Sequence, residues 1–254
     1  MTNITDDLIV HGKNVEEHDA RLFAVLERLK EVGLTVNGDK CKFRLTKLTF
    51  FGHELTSDGV NPSEEKVAAI RDARPPKDVS EIRSFMGLVQ YSARFIPDLA
   101  SVAKPIQELT RKGVPFIWAI EQQRAFEALK KLITQTETLA YYQVGSTARI
   151  VADASPVALG AVLTQQQGGI WKLISYASRS LTDVERSYSQ TEKEALALVW
   201  ACEPFNMDVF GQHFELKTDH QPLERIYSST SKPCARVERW VLLRLHSGIP
   251  ARQN

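Results

Sequence analysis

The stretch beginning at Arg149 constrains the fold more than any other. It reads RIVADAS, then ALGAVLTQQQ, then Gly168-Gly169, then IWKLISYASR. Each run is rich in β-branched and apolar residues and the joints are short. The pattern predicts a three-stranded antiparallel meander with a hairpin at the glycine pair. DVERSYSQTEKEALALVWACEPF follows and reads as one long helix. A strand, HFELKTDH, and helical stretches near residues 221–227 and 234–245 come next. Strands, then helix, strand and helix, is an α/β or α+β layout.

The upstream half has a different texture. Residues 4–10 read as strand, turn, strand, with Asp6-Asp7 at the turn. In VEEHDARLFAVLERLKEVGL the apolar residues Leu22, Val25, Leu26, Leu29 and Val32 recur at helical spacing and Gly33 stops the run, which predicts a helix of about five turns. CKFRLTKLTFFGHELTSDGV alternates around Ser-Asp-Gly and is read as two short strands. Pro62 is placed at the first turn of a helix that Pro75-Pro76 ends. Three short helices broken at Pro97 and Pro105 follow, then a helix carrying Phe126, Leu129, Leu132 and Ile133 on one face. A domain boundary is expected near residue 140.

Composition excludes more than it selects. Lys and Arg total 32 against 31 Asp and Glu, so any basic groove has to be local. Cys41, Cys202 and Cys234 are far apart and form no C-x-x-C, against a disulfide framework or a zinc site. No apolar run approaches the roughly 20 residues of a membrane span. A soluble, intracellular protein without a membrane partner is expected.

Three carboxylates stand out. Asp153 ends one apolar strand, Asp219 ends another, and Glu194 lies in a helix among Ala195, Leu196, Ala197, Leu198 and Val199. An acid that close to a core wants a partner. Oxygen ligands from two strands and a helix suit Mg²⁺, and two such ions can clamp a phosphodiester. The plain alternative for a strand-end carboxylate is a turn or cap. Asp6-Asp7 admits the same two readings: an Asx-turn, or a metal relieving the mutual repulsion of two acids among Ile4, Leu8, Ile9 and Val10.

An ordered series of segments, among them DDLIVHGKNVEEHDARLFAVLERLKEVGLTVNGDKC, FFGHELTSDGV, IRSFMGLVQYSARFIPDLA, ADASPVALGAVLTQQ, ISYASRSLTDVERSYSQTEKEALALVWA and FELKTDHQPLERI, resembles the distal half of the polymerase polyprotein of gypsy-type LTR retrotransposons. The resemblance covers nearly residues 3–241. It implies a reverse transcriptase palm remnant at 1–60, thumb-like helices at 61–111, a connection at 112–145 and an RNase H-like domain at 146–254. That last domain is expected to be a mixed five-stranded sheet with flanking helices, truncated at its C-terminus.

By this resemblance Asp6 and Asp7 match the aspartate pair of the polymerase centre, although the aromatic residue usual before the pair is replaced within Asn3-Ile4-Thr5. The third palm aspartate and the fingers are expected upstream of Met1, leaving that centre incomplete. Asp153, Glu194 and Asp219 match the RNase H metal ligands, with Mg²⁺ or Mn²⁺ as cofactor and an RNA–DNA hybrid as substrate. Glu192 rivals Glu194, since helical spacing does not separate them. A fourth family aspartate has no counterpart here. Arg83, Arg94 and Arg179 are candidate contacts to nucleic acid. The implied readings are an RNase H-type endonuclease attached to a polymerase remnant, with the remaining polyprotein as partner, or an inactive relic that binds nucleic acid nonspecifically.

Overall fold

The computed structural model describes residues 2–4 and 7–218, which divide between two units, Met1–Leu45 and Thr46–Asn254. In the first, β1 (Thr2–Ile4) and β2 (Asp7–Ile9) form an antiparallel hairpin, with Ile4 opposite Asp7. Helix α1 (Val15–Glu31) follows. Asn14 accepts from the Glu17 amide at 2.8 Å, Glu17 accepts in return from the Lys13 amide at 2.7 Å, and Gly33 adopts φ +72° just beyond the C-terminus. Both ends are therefore satisfied in the manner of a capped helix.

The second unit opens with β3 (Lys47–Phe50), β4 (His53–Thr56) and β5 (Val60–Pro62), an antiparallel sheet of three strands where two were expected. The extra turn falls at Phe51-Gly52, whose φ values of +44° and +65° are those of a tight hairpin. Pro62 closes β5 and does not start the next helix. Ser63 does so, accepting from the Lys66 amide at the head of α2 (Glu64–Arg71). Helix α3 (Val79–Tyr91) leads through a short 3₁₀ turn at Ala93–Phe95 to α4 (Leu99–Glu108). Pro105 lies inside α4, so it does not break the helix there. The apolar face of Leu99, Ala103 and Ile106 stays buried through it. Helix α5 (Ile120–Thr134) packs on α4, with Phe126 fully buried 4.8 Å from the Phe85 ring and 5.9 Å from Trp118.

The main sheet holds β6 (Ala148–Ala154), β7 (Ala158–Gln167), β8 (Ile170–Ser180) and β9 (Phe214–Lys217) in the order β8-β7-β6-β9. The meander is antiparallel, its hairpin at Gly168-Gly169 has positive φ at both residues, and β9 runs parallel to β6. Among the described residues this sheet has four strands. The expected helical stretches at 221–227 and 234–245 lie outside them.

The expected long helix after β8 is three: α6 (Asp183–Arg186), α7 (Gln190–Ala201) and α8 (Asn206–Val209). A capping box of Thr182 with Glu185 starts it, and a second box, Ser189 with Glu192, cuts it after α6. Each presents an S/T-x-x-E signature that favours a fresh helix start over continuation. Helix α7 packs on β6, where Ala148, Ile150, Ala152 and Ala154 are buried with Ala195, Ala197, Leu198 and Ala201. Helix α4 packs on β7 and β8, and the Ala100 amide donates to Ser178 Oγ at 3.0 Å.

A strap joins the small sheet to the large one. Leu139 exchanges both backbone hydrogen bonds with Val60, at 2.8 and 2.9 Å, and the Ala140 amide donates to the Leu173 carbonyl at 2.7 Å. Further along, Gln165, fully buried, accepts from the Gln143 amide at 2.8 Å and donates to the Gln143 and Ser146 carbonyls.

Candidate active site

Alternation along β6 sets the first element of the site. Ala152 and Ala154 are buried toward α7, while Asp153, between them and opposite Gly160 in the ladder, is exposed. Asp153 lines a pocket of about 150 Å³ together with Asp98, Ser101, Ser155, Ala158 and Gly160. Ser155 forms a side-chain turn, accepting from the Val157 and Ala158 amides. Asp98 stands at φ +48° at the head of α4 and its side chain does not cap that helix. A Cβ on Gly160 would lie 3.0 Å from Asp98 Oδ1, so glycine leaves room for that carboxylate. Asp98 and Ser101 escape sequence reasoning, because only the docking of α4 on the sheet brings residues 52 to 55 positions upstream beside Asp153.

Helix α7 carries the second element and separates the two rival glutamates. Glu192 is drawn into the cap, where its carboxylate accepts from the Ser189 amide and hydroxyl, each at 3.0 Å. Glu194 is 4% exposed and accepts from Gln190 Nε2 at 2.6 Å. The same Gln190 amide donates to the Ala154 carbonyl at 2.9 Å. One glutamine therefore ties the buried acid to the end of β6, one residue past Asp153. The parallel ladder brings Lys217 level with Val151. Asp219 and Asp6 lie outside the described residues. Asp7 is exposed at the start of β2.

Among the described residues no three His, Cys, Asp or Glu side chains are grouped to hold a metal ion. The donor chemistry nevertheless fits a hard divalent cation: the expected set is all carboxylate, and Glu194 is an acid held in the core by an amide.

The three candidate arginines differ. Arg83 is exposed on α3. Arg94 lies 5.9 Å from the Phe95 ring; burial lowers its pKa, opposed by Asp208. Arg179 makes a bidentate pair with Glu185 at 2.8 and 2.9 Å. Arg179 and the Thr182 amide push the Glu185 pKa down to about 2 against partial burial. The folded-state value lies below the unfolded 4.5, so the pair's contribution is present above pH 4.5 and fades as pH falls toward 2. Glu185→Gln is expected to remove about 1 kcal/mol at pH 7 and little at pH 2.5, read by denaturation at both pH values. For hybrid binding, Arg83→Ala is expected to reduce the slope of log affinity against log salt by about 1, whereas Arg179→Ala, already ion-paired, leaves it nearly unchanged.

The four-stranded sheet with one parallel pair, its helix α7 on β6 and the Asp153–Glu194 arrangement define an RNase H-like α+β fold. Residues 143–246 match the model of the RNase H-like domain found in reverse transcriptase. The chain is 36% identical over 92% of its length to the retrovirus-related Pol polyprotein from transposon 412 of Drosophila melanogaster, and 29% identical over 93% to the Tf2-3 transposon polyprotein of Schizosaccharomyces pombe. It spans 19% and 18% of those two relatives. In fold it is similar to a foamy viral protease-reverse transcriptase solved with double-stranded DNA, with a TM-score of 0.80, 24% identity, and coverage of 96% of this chain and 44% of that one. Residues 143–246 thus carry an RNase H-like domain of the reverse transcriptase kind, and the chain is homologous to the Pol polyproteins of Drosophila and Tf2 LTR retrotransposons, consistent with the gypsy type.

No helix among the described residues is long and apolar enough to cross a membrane.

Proposed function

We propose that this chain is the distal part of a reverse transcriptase joined to its RNase H, and that its chemistry is metal-dependent cleavage of the RNA strand of an RNA–DNA hybrid. Residues 1–60 are then palm, 61–111 thumb, 112–145 connection and 146–254 RNase H. The observation that carries the reading is Glu194, a core carboxylate anchored through Gln190 to the carbonyl beside Asp153, within the region of the family match. Asp153, Glu194 and Asp219 would hold Mg²⁺ or Mn²⁺. When bound, the ion supplies Lewis-acid stabilisation of charge at the scissile phosphate.

The protein's own part is positional. Gln190 fixes the orientation of Glu194, the cap at Ser189 fixes the start of α7, and ladder pairing with β7 fixes Asp153. Arg83 and Arg94 are the proposed nucleic-acid contacts, whereas Arg179, matched to such a role by the family resemblance, is held by Glu185, and Asp6 and Asp7 belong to the polymerase centre. A second reading is a noncatalytic chain that binds nucleic acid through phosphate contacts.

A labelled hybrid incubated with purified chain and Mg²⁺ or Mn²⁺ separates the two. Cleavage is expected, and Asp153→Asn and Glu194→Gln should each lower its rate by about a hundredfold or more, the scale for removing one preorganised group from a charge-stabilising site. Equal cleavage by all three proteins, or none by any, rejects the catalytic reading.

A further inference from the structure

The pocket beside Asp153 is built by two distant parts of the chain. Ala152 and Ala154 point into the core shared with α7, so Asp153 and its ladder partner Gly160 face the other way, toward α4. Asp98, at the head of α4, enters the same space. The polar lining is Asp98, Asp153, Ser101 and Ser155, oxygen donors throughout, and no Lys, Arg or His is among the described residues that form it. Such a donor set suits a hard divalent cation.

The conformation of Asp98 is not explained by the needs of its own helix. Aspartate is a preferred cap, yet this carboxylate accepts no amide of α4. The Ala100 amide, which a cap at this position would hold, donates to Ser178 Oγ instead. Among the described residues the Asp98 carboxylate makes no hydrogen bond or ion pair. Across the pocket, the Cβ that Gly160 lacks would lie 3.0 Å from Asp98 Oδ1, so the strand is hollowed where the carboxylate enters.

We propose that Asp98 is a further ligand of the divalent cation that Asp153 holds. The centre then takes an acid from α4, which lies outside the residues 143–246 of the family match, and its metal site is incomplete unless α4 is docked on β7 and β8. Glu194 comes from the helix on one face of the sheet and Asp98 from the helix on the other, with Asp153 on the strand between them. The inference rests on the metal-dependent reading and adds to it a residue from another part of the chain.

Mn²⁺ alone is the probe, titrated into the full chain and read by the loss of the free ion's paramagnetic resonance signal. Asp98→Asn is expected to raise the Kd about tenfold or more, since even groups that only support a ligand are worth that much. Asparagine adopts the left-handed backbone readily, so the thermal midpoint should not move. Gly160→Ala keeps every carboxylate but crowds Asp98, and it should weaken Mn²⁺ binding as well. Glu108→Gln removes the same charge from the far end of α4, where Glu108 lies 3.9 Å from Lys104 and 4.0 Å from Arg186, and should leave the Kd unchanged. If Asp153→Asn weakens binding while Asp98→Asn binds as tightly as the parent, this proposal is overturned and the cleavage reading stands. Equal losses in Asp98→Asn and Glu108→Gln overturn it too, because net charge then explains the effect. A parent chain that takes up no Mn²⁺ overturns both.

Discussion

Alanine at Gly59 is expected to destabilise the chain by about 3 kcal/mol, a mixture of backbone strain and direct collision. Gly59 holds φ +149°, which side chains rarely adopt, and a Cβ there would lie 2.1 Å from the Leu139 carbonyl oxygen. That oxygen accepts the Val60 amide in the bridge that carries the strap from the small sheet to β8, so the collision and the bridge compete for one space. The thermal midpoint should fall by roughly 6–12 °C for a chain of this size. Gly113→Ala is the control: φ is +84° and nothing lies within 4 Å, so only the backbone term applies, about 1 kcal/mol. Equal losses in the two variants, by urea denaturation, would show that the strap does not seat against Gly59.

The second large effect concerns Gln165. Replacing it with Leu keeps the approximate volume but removes two donated and two accepted hydrogen bonds at a fully buried site. The Gln143 and Ser146 backbone groups and the Gln167 amide lose their partner together. The expected cost is about 3 kcal/mol, since a group stripped of its partner inside a fold keeps its desolvation penalty. Hydrogen exchange should localise the loss to residues 141–147 before global unfolding. A stability within 0.5 kcal/mol of the parent, the range of ordinary surface changes, would mean that water replaces the glutamine.

Much of the architecture was readable because local chemistry dictated it. The meander from Arg149, the hairpin at Gly168-Gly169 and helix α1 with its Gly33 stop follow from period and turn residues. Where the reading missed, a local signal lost to a longer pattern. The run from Asp183 looked continuous because its apolar residues kept helical spacing, yet Ser189 started a new helix within it. Phe51-Gly52 was absorbed into an apolar run although glycine marked a turn. Pro105 stayed within α4 because burial of that helix's apolar face outweighed the local preference to break it.

The sequence by itself determined the periodicities of the elements, the two carboxylates Asp153 and Glu194 as candidates, and kinship to a polyprotein family, all of which depend on residues near one another in the chain. Tertiary structure alone decided that Glu194 enters the core, that Gln190 joins that acid to β6, and that Asp98 stands beside Asp153. Spacing along the chain cannot carry such facts. They arise when separate helices dock on opposite faces of one sheet and buried polar groups find partners that apolar periodicity leaves unnamed.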